Sequence, residues 1–220
     1  ANLGWSDLAL ADIIGNSRDF PVHVINDSRA AAVAEFLLGD HGTGNLIVVK
    51  LGRGVGSGII LDRDIYSGES AAAGEIGHIA VIPRGAEFVT LESVASTPAI
   101  ARSLSDAAGV PFKGRPSQMI ARYADSSDPA ISAVVEQLGS DLATILSSVV
   151  GTLDVHRIVL SGPVAPLGNA LLDSVESHLG DRLLPALSES VTVAYGHVEE
   201  STAVATGVAT HVIRRELGIA

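Results

Sequence analysis

This sequence predicts an α/β fold built on a mixed sheet, on three observations. Short apolar runs rich in β-branched residues recur at positions 22–25, 46–51, 157–160 and 191–194, each about the length of a buried strand. Between and after them lie longer stretches whose apolar residues keep a helical period, and strands that alternate with helices imply an α/β architecture. The run at 46–51 also feeds a glycine turn, with Gly52, Gly54, Gly56 and Gly58 alternating with other residues before a second apolar run at 59–61. That pattern is a strand, a turn and a returning strand.

Taken in order, the chain opens with a loop and a short helix capped by Ser6. A strand at 22–25 then delivers Asn26 and Asp27 to its C-terminal end, where open α/β sheets place their ligands. A helix over 28–38 stops at Gly39, and its small residues Ala30, Ala31, Ala32 and Ala34 let it approach the sheet closely. The glycine-rich hairpin follows, with residues 62–64 as the turn between strands. From Glu92 to Val155 the pattern is mainly helical. Thr97-Pro98 starts one helix, Ser117 another, and Asp128-Pro129 supplies a cap and a proline in the first turn of a long one. Along it Ile131, Val134, Val135, Leu138, Leu142, Ile145 and Val149 keep one apolar face, which core packing explains, with a share of that face left for a dimer. The strand at 157–160 runs into Ser161-Gly162-Pro163. Two helices, the strand at 191–194 and a final helix over 202–217 complete the chain.

The composition sets bounds on function. Two hundred and twenty residues, 47% of them hydrophobic, can bury one large core or two small ones. Glycine interrupts the apolar runs, so neither a membrane span nor a signal peptide is expected. The chain has no cysteine, which excludes disulfides and any zinc site with thiolate ligands. A formal charge of −11 argues against these residues wrapping a phosphate backbone.

The chemistry gathers in three places. Gly74-Glu75-Ile76-Gly77-His78 puts a carboxylate and an imidazole three residues apart, a pair suited to holding neighbouring hydroxyls of one small polar molecule. Asn26-Asp27 opens the alanine-rich helix, and Glu92 follows Leu91 at the start of the helical half. Each has a bland reading on its own: an Asp before a helix is most often a cap, a lone His is most often a satisfied core residue, and a Glu favours a helix N-terminus. The other histidines, among them His23, His41, His156 and His178, are scattered without ligand spacing and read as structural or exposed.

Together the three segments, in this order, resemble the sugar-kinase and sugar-responsive repressor family known as ROK (repressor, open reading frame, kinase). The likeness runs from about Leu3 to Leu217. It implies an actin-like ATPase (ribonuclease H-like) fold of two lobes around a cleft. Residues 1–44 plus 202–220 would be the remnant of an incomplete N-terminal lobe, and residues 45–201 the C-terminal lobe. The resemblance also implies a sugar site made of Asn26, Asp27, Glu75, His78 and Glu92, with Asp27 as general base if the protein is a kinase. The weaker nucleotide assignment falls on Gly52, Gly54, Gly56 and Gly162.

Departures from the family pattern shape the expected function. Arg53 stands where the glycine turn of the kinases usually carries threonine, and Pro163 stiffens a turn usually richer in glycine. The family's first phosphate hairpin has no counterpart before Asn26. The opening Asn2-Leu3-Gly4-Trp5 resembles the segment that precedes the Asn-Asp pair in the family's repressors. The segment 83–90, where many relatives carry a cysteine-rich zinc loop, reads PRGAEFVT, so no structural zinc and no other metal is expected. The expectation is therefore a cytoplasmic, homodimeric sugar-binding effector domain of a ROK-type transcriptional regulator. It would bind a hexose or amino sugar without a cofactor, have no membrane partner, and reach operator DNA only through a domain outside this chain. The alternative is an ATP- and magnesium-dependent hexose kinase seen as a fragment.

Overall fold

The computed structural model describes residues 8–16, 20–84, 87–124 and 126–218. In chain order the elements are helix α1 (Leu10–Gly15), helix α2 (Asp27–Leu38), strands β1 (Leu46–Leu51), β2 (Val55–Leu61) and β3 (Asp64–Tyr66), a 3-10 turn (Ile76–His78), and strands β4 (Ala80–Arg84) and β5 (Glu87–Thr90). Helices α3 (Leu91–Ala95), α4 (Thr97–Ala107), α5 (Pro116–Arg122) and α6 (Pro129–Leu153) follow. Strand β6 (Arg157–Ser161), a 3-10 turn (Ala165–Leu167), helices α7 (Gly168–Gly180) and α8 (Pro185–Ser188), strand β7 (Thr192–Tyr195) and helix α9 (Glu200–Leu217) complete the fold.

Five strands form a mixed sheet in the order β3-β2-β1-β6-β7. Strand β1 is central, antiparallel to β2 and parallel to β6, and β7 adds parallel to β6. Both faces of β1 are covered, which is why it reads as an unbroken apolar run rather than an alternating one. Ile47, Val49 and Leu51 join the larger core, with Leu142, Leu146 and Val150 of α6 and Leu171 and Val175 of α7. Leu46 and Val48 face the other way, onto Ala32 of α2 and Val159 of β6. The alanines of α2 matter here: a Cβ at Gly58 of β2 would lie 2.2 Å from the Ala32 Cβ, so helix and strand meet without side chains between them. Helix α6 is long and apolar enough to cross a membrane by length and composition alone, but half of its most apolar stretch is buried inside the molecule, as in a core helix.

Several expected boundaries agree with the structure. Gly39 ends α2, and Asp128 caps α6 through a 2.9 Å bond from the Ala130 amide; the cap of α2 is Asn26 rather than Asp27, which is the first residue of the helix. Asp62 and Arg63 both adopt positive φ, the geometry of a tight hairpin turn. The expected strand at 22–25 does not form. Among the described residues no strand lies beside this segment, and a strand without a ladder partner leaves its amides to solvent. His23 instead bonds Glu216 of α9 at 2.8 Å. The Ser6 cap and the Asn2-Leu3-Gly4-Trp5 motif lie outside the described residues; α1 begins after Ala9, which offers no side-chain cap. The hairpin of β4 and β5, left unassigned by the sequence, pairs Ala80 with Thr90 and Val81 with Val89.

Candidate functional site

Asn26 is fixed before any ligand arrives. Its Oδ1 accepts the backbone amides of Ser28 at 2.9 Å and Arg29 at 3.2 Å, which satisfies two of the orphan donors at the start of α2. That leaves Nδ2 to donate to Glu75 Oε1 at 3.3 Å. Because Asn26 does the capping, Asp27 is free of it. Asp27 Oδ2 instead accepts from Lys50 Nζ at 2.7 Å. Burial alone would raise the Asp27 pKa, but the hydrogen bond and charge of Lys50, with bonds from Ser28, outweigh it and hold the carboxyl below its ordinary value.

Lys50 is the residue that sequence reasoning missed. It sits at the fifth position of β1, the one place in that strand that is not fully buried. A lone lysine inside an apolar strand is itself a signal, since a charge leaving water needs a partner, and Asp27 is that partner.

Glu75 and His78 are set by the backbone around them. The Gly74 carbonyl accepts both the amide and the hydroxyl of Ser57, at 2.7 and 3.1 Å, and Gly74 has φ +92°. A Cβ at Gly77 would lie 2.1 Å from the Val55 carbonyl, so the 3-10 turn rests directly on β2. Ile76 is buried between them and anchors the turn. The flanking side chains remain open: Glu75 is 47% and His78 58% exposed, with Oε2 and Nε2 3.9 Å apart.

Glu92 lies in the first turn of α3, where Thr90 caps the helix. Its Oε2 accepts the Val55 amide at 3.0 Å. It also lines an open cleft of about 830 Å³ with Arg53, Thr90, Ser93, Ser96, Pro98 and Arg102.

The fold therefore joins two of the five expected sugar residues directly, through the bond between Asn26 and Glu75, and pairs Glu75 with His78. Asp27 and Glu92 both attach to the β1–β2 hairpin: Asp27 through Lys50, which pairs with Gly56, and Glu92 through Val55. The cleft that holds Glu92 and Arg53 is not lined by Asn26, Asp27, Glu75 or His78. Five acceptors and donors around one hairpin suit a polyhydroxylated ligand, whose hydroxyls need both.

The two expected nucleotide segments meet at the end of β1. A Cβ at Gly162, where φ is +115°, would lie 2.2 Å from the Leu51 carbonyl, which also accepts Thr97 Oγ1 at 3.0 Å. The Gly52 amide donates to Gly54 O at 3.0 Å and is not free to point at an anion, and Gly56 backs onto Ser28.

A five-stranded sheet of this order, with its polar side chains gathered on the glycine hairpin, defines an actin-like ATPase fold of the kind shared by sugar kinases and sugar-responsive regulators. The chain belongs to the ROK family, whose model matches residues 1–215. It is similar to a glucokinase from Halalkalibacterium halodurans, 32% identical over 209 residues, which covers 86% of this chain and 62% of that protein. It is also similar to the DNA-binding transcriptional dual regulator NagC of Escherichia coli, 27% identical over 191 residues, 81% of this chain and 47% of that protein. Among solved structures, a ROK family transcriptional regulator homologous to the E. coli MLC protein superposes with a TM-score of 0.80 at 26% identity, over 94% of this chain and 56% of that one. The chain thus spans less than two thirds of the length of these relatives.

Proposed function

We propose that this chain is the sugar-binding effector domain of a ROK-type transcriptional regulator. Its ligand is a hexose or amino sugar held by Asn26, Asp27, Glu75, His78 and Glu92. Operator DNA is contacted by a segment outside these 220 residues, consistent with the formal charge of −11. The observation that carries the reading is the ion pair between Lys50 and Asp27 at 2.7 Å. A kinase needs a carboxylate able to take the proton of the attacking hydroxyl, and a carboxylate held ionised below its ordinary pKa by an ammonium group is a poorer base. The occupied Gly52 amide and the bulk of Arg53 support the same reading, and no nucleotide is required by it.

Calorimetry on the parent protein with a panel of hexoses and amino sugars tests the proposal. Saturable binding without nucleotide, and no sugar-dependent consumption of ATP, is the expected outcome. Steady phosphorylation of a sugar would overturn it in favour of the second reading, an ATP- and magnesium-dependent hexose kinase with Asp27 as base, which the 32% identity to a glucokinase favours. The proposal extends to a cytoplasmic homodimer, and to a division into residues 45–201 as one lobe and residues 1–44 with 202–220 as part of the other. Light scattering on the parent protein checks the dimer.

A further inference from the structure

Near the end of α2, Glu35 and His41, six residues apart, meet a third side chain from far along the chain, His197. Glu35 Oε1 lies 2.9 Å from His41 Nε2 and 3.5 Å from His197 Nδ1, and all three atoms fall within 4.8 Å of one another. Glu35 and His41 are buried, with side chains 3% and 1% exposed, while His197 is 60% exposed. Among the described residues this is the one group of three such side chains whose ligand atoms come so close.

We infer that Glu35, His41 and His197 form a binding site for a borderline divalent cation such as zinc, nickel or cobalt. Two imidazoles and one carboxylate are the donor set such ions prefer, whereas magnesium and calcium take oxygen ligands. Around a tetrahedral ion with ligand bonds of about 2.0–2.1 Å, neighbouring donors sit about 3.3 Å apart. The Glu35–His41 and Glu35–His197 separations bracket that spacing to within a few tenths of an ångström.

Two further observations point to the same place. Gly39 has φ −83° and ψ −6°, a helical conformation that any residue adopts, so its backbone does not call for glycine. A Cβ there would lie 2.3 Å from His41 Nε2 and 2.5 Å from Glu35 Oε1, so the missing side chain is required by the space between the two ligand atoms. His41 Nδ1 is buried and has no hydrogen-bond partner, so the ring is held through Nε2 alone and no second bond fixes it against turning toward a metal. Ligation would replace the bond between His41 Nε2 and Glu35 Oε1 and move the ring proton to Nδ1. Glu35 stays anchored meanwhile, because the amides of His197 and Val198 bond its two oxygens at 2.8 and 3.0 Å. Burial alone would raise the Glu35 pKa, but these amides and His41 outweigh it and keep the carboxylate ionised. The exposed face of His197 leaves an entry path and a fourth position for water.

This site is separate from the sugar residues. Asp27 and Glu35 stand on the same helix roughly 12 Å apart along its axis, at about 1.5 Å of rise per residue. A bound cation would fasten the end of α2 to the segment that leads into α9. It departs from the expectation of no metal, which rested on the missing cysteines and not on residues brought together by the fold.

The test is calorimetric titration of the chelator-treated chain with zinc chloride, and with cobalt chloride followed by visible absorption. One-to-one uptake in the micromolar range, with the absorption bands of four-coordinate cobalt, is expected. His197→Ala, which removes an exposed ligand, should weaken binding by about tenfold or more with an unchanged circular dichroism spectrum. His178→Ala, at the separate pair with Glu136, should leave it unchanged. Absence of saturable uptake, or equal affinity in His197→Ala, would overturn the site and leave a hydrogen-bonded clasp only.

Discussion

Lys50 Nζ stands 2.7 Å from Asp27 Oδ2, an ion pair that links the first turn of a helix to the central strand of the sheet. The lysine is 19% exposed and the aspartate 58%, so the pair sits at the rim of the site rather than in the core.

Lys50→Met removes the cation and should raise the Asp27 pKa toward its ordinary value of 3.8. The sign of the stability change follows. A carboxyl lowered in the folded state stabilises the fold above its unfolded pKa, and that contribution is lost as pH falls through the folded pKa. The variant should therefore show less dependence of stability on pH in the acid range. Proton-detected titration of the Asp27 carboxyl, with urea unfolding at several pH values, checks both; an unmoved Asp27 would refute the coupling.

Asn26→Ala removes a cap and should cost about 1 kcal/mol in urea unfolding. Asn26→Asp keeps the acceptor that caps α2 but replaces the donor to Glu75 with a second carboxylate. It should retain most of the stability and lose sugar affinity. Equal affinity in Asn26→Asp and the unaltered chain would show that the amide does not serve the ligand.

Gly77→Ala places a methyl group 2.1 Å from the Val55 carbonyl, against backbone that cannot swing aside. A loss of about 1–3 kcal/mol is expected, the cost of overpacking. His78, next in the chain, should move with it, so sugar binding measured by calorimetry should fall more than in Ala73→Gly, a change in the same segment without the clash.

Glu92→Gln keeps an oxygen for the Val55 amide, whereas Glu92→Ala leaves that amide without its side-chain acceptor. Thermal unfolding should separate the two, with the alanine variant less stable. Sugar binding should weaken in both, because each removes the carboxylate.

How far the sequence told these things in advance varied with the kind of interaction involved. Strands β1 and β6 were legible because both faces of the sheet are covered there and the runs are plainly apolar, and the edge strand β7 because Val191 and Val193 alternate into the core. The cap at Asp128 was legible because capping is a local interaction between near neighbours, whereas at α2 the plain reading gave the cap to Asp27 and the structure gives it to Asn26, one residue earlier. The segment at 22–25 misled because β-branched residues favour strands only where a neighbour exists to pair with, and that neighbour is a matter of topology. The partner of Lys50 and the cluster at Glu35 were hidden for the same reason: Asp27 and His197 are each brought to their partners by the fold, and no spacing encodes it. The likeness to a family supplied the five residues expected at a sugar site, but only the folded structure reveals that Asn26 is already bonded to Glu75.

The parallel pairing of β1 with β6 has a consequence for how the molecule comes into being. Ile47 pairs with Ile158, and the hairpin together with α3 through α6 lies between them in the chain. Contacts so remote in sequence slow folding, because the closing of the long loop must precede any gain from the pairing. During synthesis on the ribosome, β1 emerges well before its parallel partner exists and must wait with one apolar edge open. Chaperone demand in the cell should therefore concentrate on that interval.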